Sequence, residues 1–320
     1  MNITVLGCGR WGSFLAWYHS RKNKVTLWGR PDSRAFAALC ATRTNEYVTL
    51  PPEIMLTSDL SAALAAADII VISISAQQLR SFAKQINAFP VAHKTFILCM
   101  KGLEAETGER LSVVFAEEVT QEIEVAVWVG PGHVQDFTHD IPNCMVVDAK
   151  DAQVVEKIVH TFSSDLIRLY KGHDIIGTEV GAAAKNVIGI AAGMLDGKNL
   201  TSLKGSLMAR GAREISRLMK AMGANELSAY GLCHLGDYEA TLFSPHSHNR
   251  KFGEAYIKGE PYTALAEGAP TTKALVKLGK QYHVDLPICK AIDMILYEKK
   301  NADIVLKELF ERSVKGEFDS

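Results

Sequence analysis

Asn2-Ile3-Thr4-Val5-Leu6-Gly7-Cys8-Gly9-Arg10-Trp11-Gly12 decides the fold. Residues 2–6 read as a β-strand and residues 10–21 carry a helical pattern. Gly7, Gly9 and Gly12 match G-x-G-x-x-G, and a second strand at 24–28 completes the βαβ context that gives the pattern meaning. Each glycine then has a steric task. Gly7 permits the tight turn, Gly9 lets a pyrophosphate approach bare backbone, and Gly12 lets the helix pack close to the strand. The helix N-terminus offers unpaired N–H groups to phosphates. A ligand-free glycine turn is the bland reading, and the flanking strand and helix make it the weaker one.

Outward from this unit, short apolar runs at 68–73, 95–100, 125–129, 144–147 and 166–170 alternate with helical stretches at 59–67, 77–87 and 153–162. Continuous apolar strands separated by helices predict a Rossmann-type doubly wound, mostly parallel sheet covered on both faces. After residues 172–174 the β-type runs stop. Ile176, Val180, Ala183, Val187, Ile190 and Met194 follow helical spacing. Further helical stretches fall at 207–222, 225–230, 271–282, 287–297 and 302–312. The reading is an α/β dinucleotide-binding domain over 1–173 and an all-α substrate-binding and catalytic domain over 174–320.

Composition excludes several classes. The 320 residues are 48% hydrophobic and 22% charged, too apolar for a disordered chain. Thirty-five Lys and Arg against 36 Asp and Glu leave no basic excess for a general nucleic-acid binder. No uninterrupted apolar run reaches the ~18–20 residues of a membrane span, so no stable membrane insertion is expected. Met1 leads straight into the first strand, so no secretory leader is expected either. Cysteines at 8, 40, 99, 144, 233 and 289 form no C-x-x-C pair and read as buried thiols of a cytoplasmic protein. His246 and His248 lack a third ligand, so no metal is expected.

Cofactor choice is read at the end of the second strand. A dinucleotide site specific for NAD places an acidic residue there; Trp28-Gly29-Arg30 places an arginine, which suits a 2′-phosphate. NADP(H) is therefore favoured, with NAD(H) as the second option because Asp32 is near.

Lys185 lies in 179–187, inside the first helix of the second half, with Gly181, Ala182, Ile188 and Gly189 as its helical neighbours. Glycine costs about 0.5–1 kcal/mol in a helix interior relative to alanine. Two glycines beside a lysine suggest open space for a ligand, and a partly desolvated lysine suits proton exchange with a hydroxyl or carbonyl. Close helix packing with Lys185 reaching solvent is the competing reading, and pattern alone slightly favours it. Lys101-Gly102 and Gly130-Pro131-Gly132-His133 each follow a strand at its carboxyl end, where open α/β sheets bind ligands. Asp237 and the polar loop Ser247-His248-Asn249-Arg250 are further candidates.

Together these segments resemble the bacterial-type NAD(P)-dependent sn-glycerol-3-phosphate dehydrogenases. The resemblance covers nearly the whole chain and rests most on Lys101-Gly102-Leu103-Glu104, Lys185-Asn186-Val187-Ile188 and Asn249-Arg250-Lys251-Phe252-Gly253. It implies a helical domain like the C-terminal domain of 6-phosphogluconate dehydrogenases. It also implies reversible hydride transfer between NAD(P)H and dihydroxyacetone phosphate, supplying glycerophospholipid synthesis. Lys185 then exchanges the proton on the C2 oxygen. Lys101, Gly130, Gly132, Asp237, Ser247, His248 and Asn249 hold the substrate. Gly7, Gly9, Arg10, Trp11, Gly12, Arg30, Lys101, Val134, His248, Leu265 and Glu267 fall on cofactor positions. The partner is a small molecule; no pattern encodes oligomeric state, and a homodimer is common among such proteins.

Departures cluster at the phosphate end of the substrate. His248 stands where the family usually has an arginine, and a part-charged imidazole is a poorer phosphate clamp than a guanidinium fork. Arg250 and Lys204 are the nearby cations that could replace it. Gly132 stands in place of a small hydroxyl residue, and the segment between Gly197 and Arg210 is one residue shorter. A ketopantoate reductase or 3-hydroxyacid dehydrogenase is the alternative within the class. A non-catalytic NADP(H)-binding sensor is the alternative outside it.

Overall fold

A computed structural model describes residues 1–313, 316 and 317. The chain divides into two compact units: Met1–Met100, Leu111–Trp128 and Gly132–His173 form the first, and Lys101–Arg110, Val129–Pro131 and Asp174–Ser320 the second. The short segments after β-strands at 101–110 and 129–131 thus group with the helical unit.

The first unit is built on eight strands: β1 (Asn2–Leu6), β2 (Lys24–Trp28), β3 (Met55–Thr57), β4 (Ile69–Ile72), β5 (Thr95–Leu98), β6 (Glu124–Val129), β7 (Asn143–Ala149) and β8 (Ile167–Lys171). They lie in the order β3-β2-β1-β4-β5-β6-β7-β8. β1 pairs in parallel with both β2 and β4, so Val5 sits between Leu27 and Val71. β2–β3, β4–β5, β5–β6 and β7–β8 are parallel too. Strand order reverses between β1 and β4, and ligands bind such sheets beyond the carboxyl ends at that reversal. β4 and β5 are buried along their whole length, which is why both read as unbroken apolar runs.

The covering helices are α1 (Arg10–Ser20), α2 (Arg34–Thr42), α3 (Leu60–Ala65), α4 (Leu79–Asn87), α5 (Leu111–Glu118), α6 (Val134–Thr138) and α7 (Ala152–Phe162). Sequence pattern does not reveal β3, α2, α5 or α6, for physical reasons. β3 is a three-residue strand at the sheet edge with no fully buried position. α2 buries only Phe36 and Leu39, so its periodicity is faint; its N-cap, Ser33, is the stronger signal.

In the second unit, α8 (Ile175–Gly197) is the axis. Asp174 caps it, accepting a hydrogen bond from the Gly177 N–H at 3.1 Å. The helix passes the length and composition test for a membrane span, yet 89% of its apolar window is buried inside the protein. Val180, Ala184, Val187 and Ile190 pack in one core with Ile215, Leu218, Leu275 and Ile292 from the helices around them. Those helices are α9 (Lys204–Ala221), α10 (His248–Lys258), α11 (Gly268–Gln281), α12 (Pro287–Leu296) and α13 (Ala302–Phe310). The expected helix at 225–230 is a 3-10 turn, Glu226–Tyr230.

The small-residue face of α8 is a packing face, which corrects the expectation of open space beside Lys185. A Cβ on Gly181 would lie 2.8 Å from Cys233 Sγ, and one on Gly189 would lie 2.7 Å from Thr241 Cγ2. Further along, a Cβ on Gly193 would lie 1.9 Å from the Arg250 carbonyl oxygen, and one on Gly253 would lie 2.1 Å from that of Ile190. The backbones of α8 and α10 therefore touch. Among the cysteines, Cys40 is exposed and Cys144 half-buried; the other four are buried as expected.

His19 on α1 is fully buried among Tyr18, Trp128 and Phe162, and neither ring nitrogen has a hydrogen-bond partner among the described residues. Burial depresses its pKa from 6.5 to about 3. Between those values the unfolded chain binds a proton that the native state refuses, so stability falls as pH falls. The expected contribution is about 1.4 kcal/mol per pH unit. Urea unfolding from pH 6 to 4 checks this: His19→Leu should remove that much of the slope, and an unchanged slope would contradict it.

Candidate active site

The glycine fingerprint lies at the turn between β1 and α1 in the first unit, and its three glycines differ in their surroundings. Gly7 has φ +111°, a conformation that L side chains rarely adopt, and a Cβ there would lie 2.2 Å from the Ser73 carbonyl oxygen. A Cβ on Gly12 would lie 1.9 Å from the Gly7 carbonyl oxygen. A Cβ on Gly9 would meet nothing within 4 Å, so the surface above it is open. Gly9 is also the N-cap of α1 and supplies no side-chain cap, and a helix N-terminus of this kind favours an anion. These residues fit a dinucleotide pyrophosphate.

Other cofactor candidates differ in setting. Arg30 is exposed, its Nε 3.7 Å from Asp32. Arg10 stands over the Tyr47 ring, and Trp11 packs against Phe14 and Phe137. Val134 is buried at the start of α6. Gly132 is explained by packing, since a Cβ would lie 2.4 Å from the Phe137 ring.

In the second unit the structure brings Lys101, Gly130, Lys185 and Asp237 together. Asp237 is 1% exposed. Its Oδ2 accepts from Lys101 Nζ at 2.7 Å and from Lys185 Nζ at 2.9 Å. Lys101 Nζ also donates to the Gly130 carbonyl at 2.6 Å. Lys185 Nζ also donates to Thr241 Oγ1 at 2.7 Å. The Thr241 hydroxyl donates in turn to the Asp237 carbonyl at 2.6 Å, so its lone pairs face the lysine. An ammonium has three N–H groups. Among the described residues each lysine thus meets two acceptors, which leaves one N–H on each for a ligand oxygen. Lys185 is buried, 8% exposed, rather than reaching solvent. Burial lowers its pKa from 10.5 to about 8, with the Asp237 carboxylate opposing the fall and Lys101 adding to it.

Neighbouring polar groups fix this cluster. The Asn186 side-chain N–H donates to the Lys101 carbonyl at 2.7 Å. The Asn186 amide oxygen accepts from Asn249 at 3.0 Å, and the Asn249 amide oxygen accepts from the Gly268 N–H at 2.8 Å. A backbone N–H can only donate and a carbonyl can only accept, so both amides have one consistent orientation. Arg110 forms a buried ion pair at 2.7 Å with Glu179 on α8. His234 Nδ1 lies 2.9 Å from the Gly181 carbonyl, so that nitrogen carries the proton, and Nε2 accepts from the Tyr238 hydroxyl at 2.6 Å. The fully buried ring is held neutral down to about pH 4, chiefly by burial. His234 and Tyr238 bracket the 3-10 turn that carries Asp237.

Residues 247–250 are the start of a helix, which corrects the loop expectation. Ser247 is the N-cap of α10, its hydroxyl accepting from the Arg250 N–H at 3.3 Å. His248 Nδ1 lies 2.7 Å from the Tyr262 hydroxyl. Leu265 is exposed, and Glu267 is the N-cap of α11. The sequence pattern assigns no site role to Thr241 or Asn186. The spacing of Asp237 and Thr241, four residues apart, was the available signal for the first.

A doubly wound unit with an open pyrophosphate cradle, joined in one chain to a helical unit centred on a buried, pKa-depressed lysine, defines an NAD(P)-dependent dehydrogenase. Comparison with known proteins identifies the family. Residues 2–155 match the family model described as NAD-dependent glycerol-3-phosphate dehydrogenase N-terminus, and residues 174–307 match the corresponding C-terminus. The chain belongs to this family. It is 37% identical over 341 residues to glycerol-3-phosphate dehydrogenase [NAD(P)+] of Lacticaseibacillus paracasei, covering 99% of this chain and 96% of that one. It is 33% identical over 330 residues to glycerol-3-phosphate dehydrogenase [NAD(P)+] 2 of Salinibacter ruber, with the same coverages. The crystal structure of glycerol-3-phosphate dehydrogenase from Coxiella burnetii matches with TM-score 0.90 at 27% identity, over 97% of this chain and 99% of that one. A ketopantoate reductase from Ralstonia eutropha matches with TM-score 0.62 at 14% identity, which shows the fold alone.

The open space over Gly9 has a direct test. Gly9→Ala should leave the thermal midpoint of the ligand-free protein within a degree or two, because its Cβ touches nothing. The same change should weaken NADPH binding at least about tenfold, or ~1.4 kcal/mol, by titration of nucleotide fluorescence. Undiminished binding would show that no phosphate approaches this backbone.

Proposed function

We propose that this chain reduces dihydroxyacetone phosphate reversibly to sn-glycerol 3-phosphate, with NADPH preferred over NADH. The observation that carries the reading is the convergence of Lys101 and Lys185 on one buried Asp237 oxygen, each with an N–H to give. Two cations against one carboxylate leave a surplus positive charge where a ketone oxygen gains negative charge. The bound nicotinamide supplies the hydride. Lys185, as the ammonium, donates a proton to the C2 oxygen; in the reverse direction neutral Lys185 takes it back. A pKa of about 8 makes both forms accessible near neutrality. Thr241 and Asp237 orient the ammonium, and the orientation costs no rearrangement during the reaction because both acceptors are themselves held.

Ser247, His248 and Asn249 take the phosphate end in this reading. Among the described residues the Asn249 amide N–H groups meet one acceptor, Asn186. His248 is the polar side chain at the start of α10, where the helix N-terminus also favours an anion. Arg30, exposed just beyond β2, supports NADPH by the 2′-phosphate argument. Leu265 and Glu267 are assigned to the cofactor on the family resemblance, as are Gly7, Gly9, Arg10, Trp11, Gly12 and Val134. A cytoplasmic homodimer that supplies glycerol phosphate for glycerophospholipid synthesis is the setting this reading implies.

NADPH oxidation at 340 nm tests it, with dihydroxyacetone phosphate, dihydroxyacetone and ketopantoate run side by side. Turnover should require the phosphorylated ketone; turnover of ketopantoate alone would transfer the chain to the alternative substrate class. Lys185→Met should lose about a thousandfold in kcat with NADPH binding retained. The reductive kcat/KM should fall as pH rises through about 8, because the donor is then lost, and the oxidative rate should rise over the same interval. Arg30→Ala should lower the NADPH-to-NADH preference about tenfold or more. NADPH binding without any ketone turnover would favour the sensor reading.

A further inference from the structure

A second carboxylate in the helical unit gathers two cations as Asp237 does, and the proposed chemistry does not use it. Asp196 lies on α8 eleven residues after Lys185, three helical turns along nearly the same face. Its Oδ2 accepts from Lys204 Nζ at 2.7 Å and from Arg250 Nη1 at 2.8 Å, and its Oδ1 accepts from the Thr201 hydroxyl at 3.0 Å. The three side chains are 13%, 5% and 15% exposed. Neither cation is held by the carboxylate alone. Lys204 Nζ donates to the Leu242 carbonyl at 2.8 Å and lies 5.2 Å from the Phe243 ring centroid. Arg250 Nε donates to the Ser244 carbonyl at 3.2 Å, and its Nη1 also reaches Glu254 Oε2 at 3.1 Å.

The two carbonyls belong to one short segment. Residues Glu239–Phe243 form a single π-helical turn, and Thr241 within it accepts from Lys185. A π turn is rare and needs support from outside its own hydrogen bonds. Here the support is a lysine bonded to the carbonyl next to Thr241 and an arginine bonded to a carbonyl two residues on. The buried cations therefore stand as backbone ligands rather than as the free phosphate clamp that Lys204 and Arg250 suggested in the sequence.

We infer that Asp196, Lys204 and Arg250 form a charge clamp that holds the 239–244 turn, and that Lys204 is a positioning residue setting the Thr241 hydroxyl against Lys185. The inference rests on the proton-donor role of Lys185 proposed above. The consequence is chemical as well as structural. Thr241 accepts a hydrogen bond from the ammonium form of Lys185, which favours that form. If the turn slips, Lys185 loses this acceptor and releases its proton more readily. Among the described residues the other titratable groups that act on Lys185 are Asp237, Lys101 and neutral His234, and none of them bonds Lys204.

Lys204→Met is the test. Asp196 keeps Arg250 in that variant, so no carboxylate is left without a cation. The expected result is a kcat about ten- to a hundredfold lower, the size of effect a misplaced orienting group produces. The alkaline limb of the reductive pH profile should move to lower pH, with NADPH affinity within about twofold of the parent and the melting curve still cooperative. Lys204→Arg should restore the limb. In a Thr241→Val background, Lys204→Met should shift the limb no further, because the two act in series. If Lys204→Met does not yield folded protein, Asp196→Asn, which keeps acceptors for both cations, should shift the limb the same way by less. A limb that stays at its parent pH in whichever of these two variants is folded, or shifts that add in the double variant, would overturn the inference. Neither result touches the proposed reaction, which stands or falls on the substrate panel and on Lys185→Met.

Discussion

One buried oxygen organises the helical unit. Asp237 Oδ2 holds two ammonium groups at 2.7 and 2.9 Å in a region from which water is largely excluded. A lone carboxylate there would be strongly disfavoured, and so would either lysine. Each is tolerable only in the presence of the others. The arrangement can persist only if the three chain segments that carry the groups are held in register from outside. Much of the surrounding structure serves that requirement: Asn186 and Asn249 on the Lys101 side, His234 and Tyr238 around Asp237, and the glycines of α8 that admit the turns.

Those glycines explain why α8 looks as it does. A helix of 23 residues this rich in glycine is poor by propensity alone. Its stability comes from burial on every side. Gly181, Gly189 and Gly193 each sit where a side chain would strike a neighbouring segment, and two of those neighbours are Thr241 and the backbone of α10. Removing side chains from the helix brings polar groups from distant parts of the chain within hydrogen-bonding distance of Lys185. The cost in helix propensity is the condition for assembling the site.

How much of this the sequence discloses depends on whether the cause is local. The crowding at Gly7 and Gly12 and the open surface at Gly9 are readable because they follow from sterics within one strand–turn–helix unit. The unbroken apolar runs gave β4 and β5 for the same reason. Lys185 was recognisable as a lysine on a face of small residues, but its surroundings were not. Open space and close packing predict the same glycines. The segment that decides between them, 233–241, lies about fifty residues away in the chain. The start of α10 reads as a loop in the sequence because Ser247, a good cap, is followed by polar residues before the first apolar one.

Lys204 and Arg250 show the limit most clearly. A free cation near a substrate phosphate and a cation bound to a backbone carbonyl have the same one-letter signature. Partner geometry separates them: each guanidinium or ammonium here already meets a carboxylate and a carbonyl. In the proposed reading the phosphate end then falls to Ser247, His248, Asn249 and the N-terminus of α10, a weaker positive field than a guanidinium fork provides. A guanidinium is always charged and presents a fork that matches phosphate oxygens, which an imidazole cannot do. His248→Arg should therefore lower the KM for the phosphorylated ketone and leave that for unphosphorylated dihydroxyacetone unchanged.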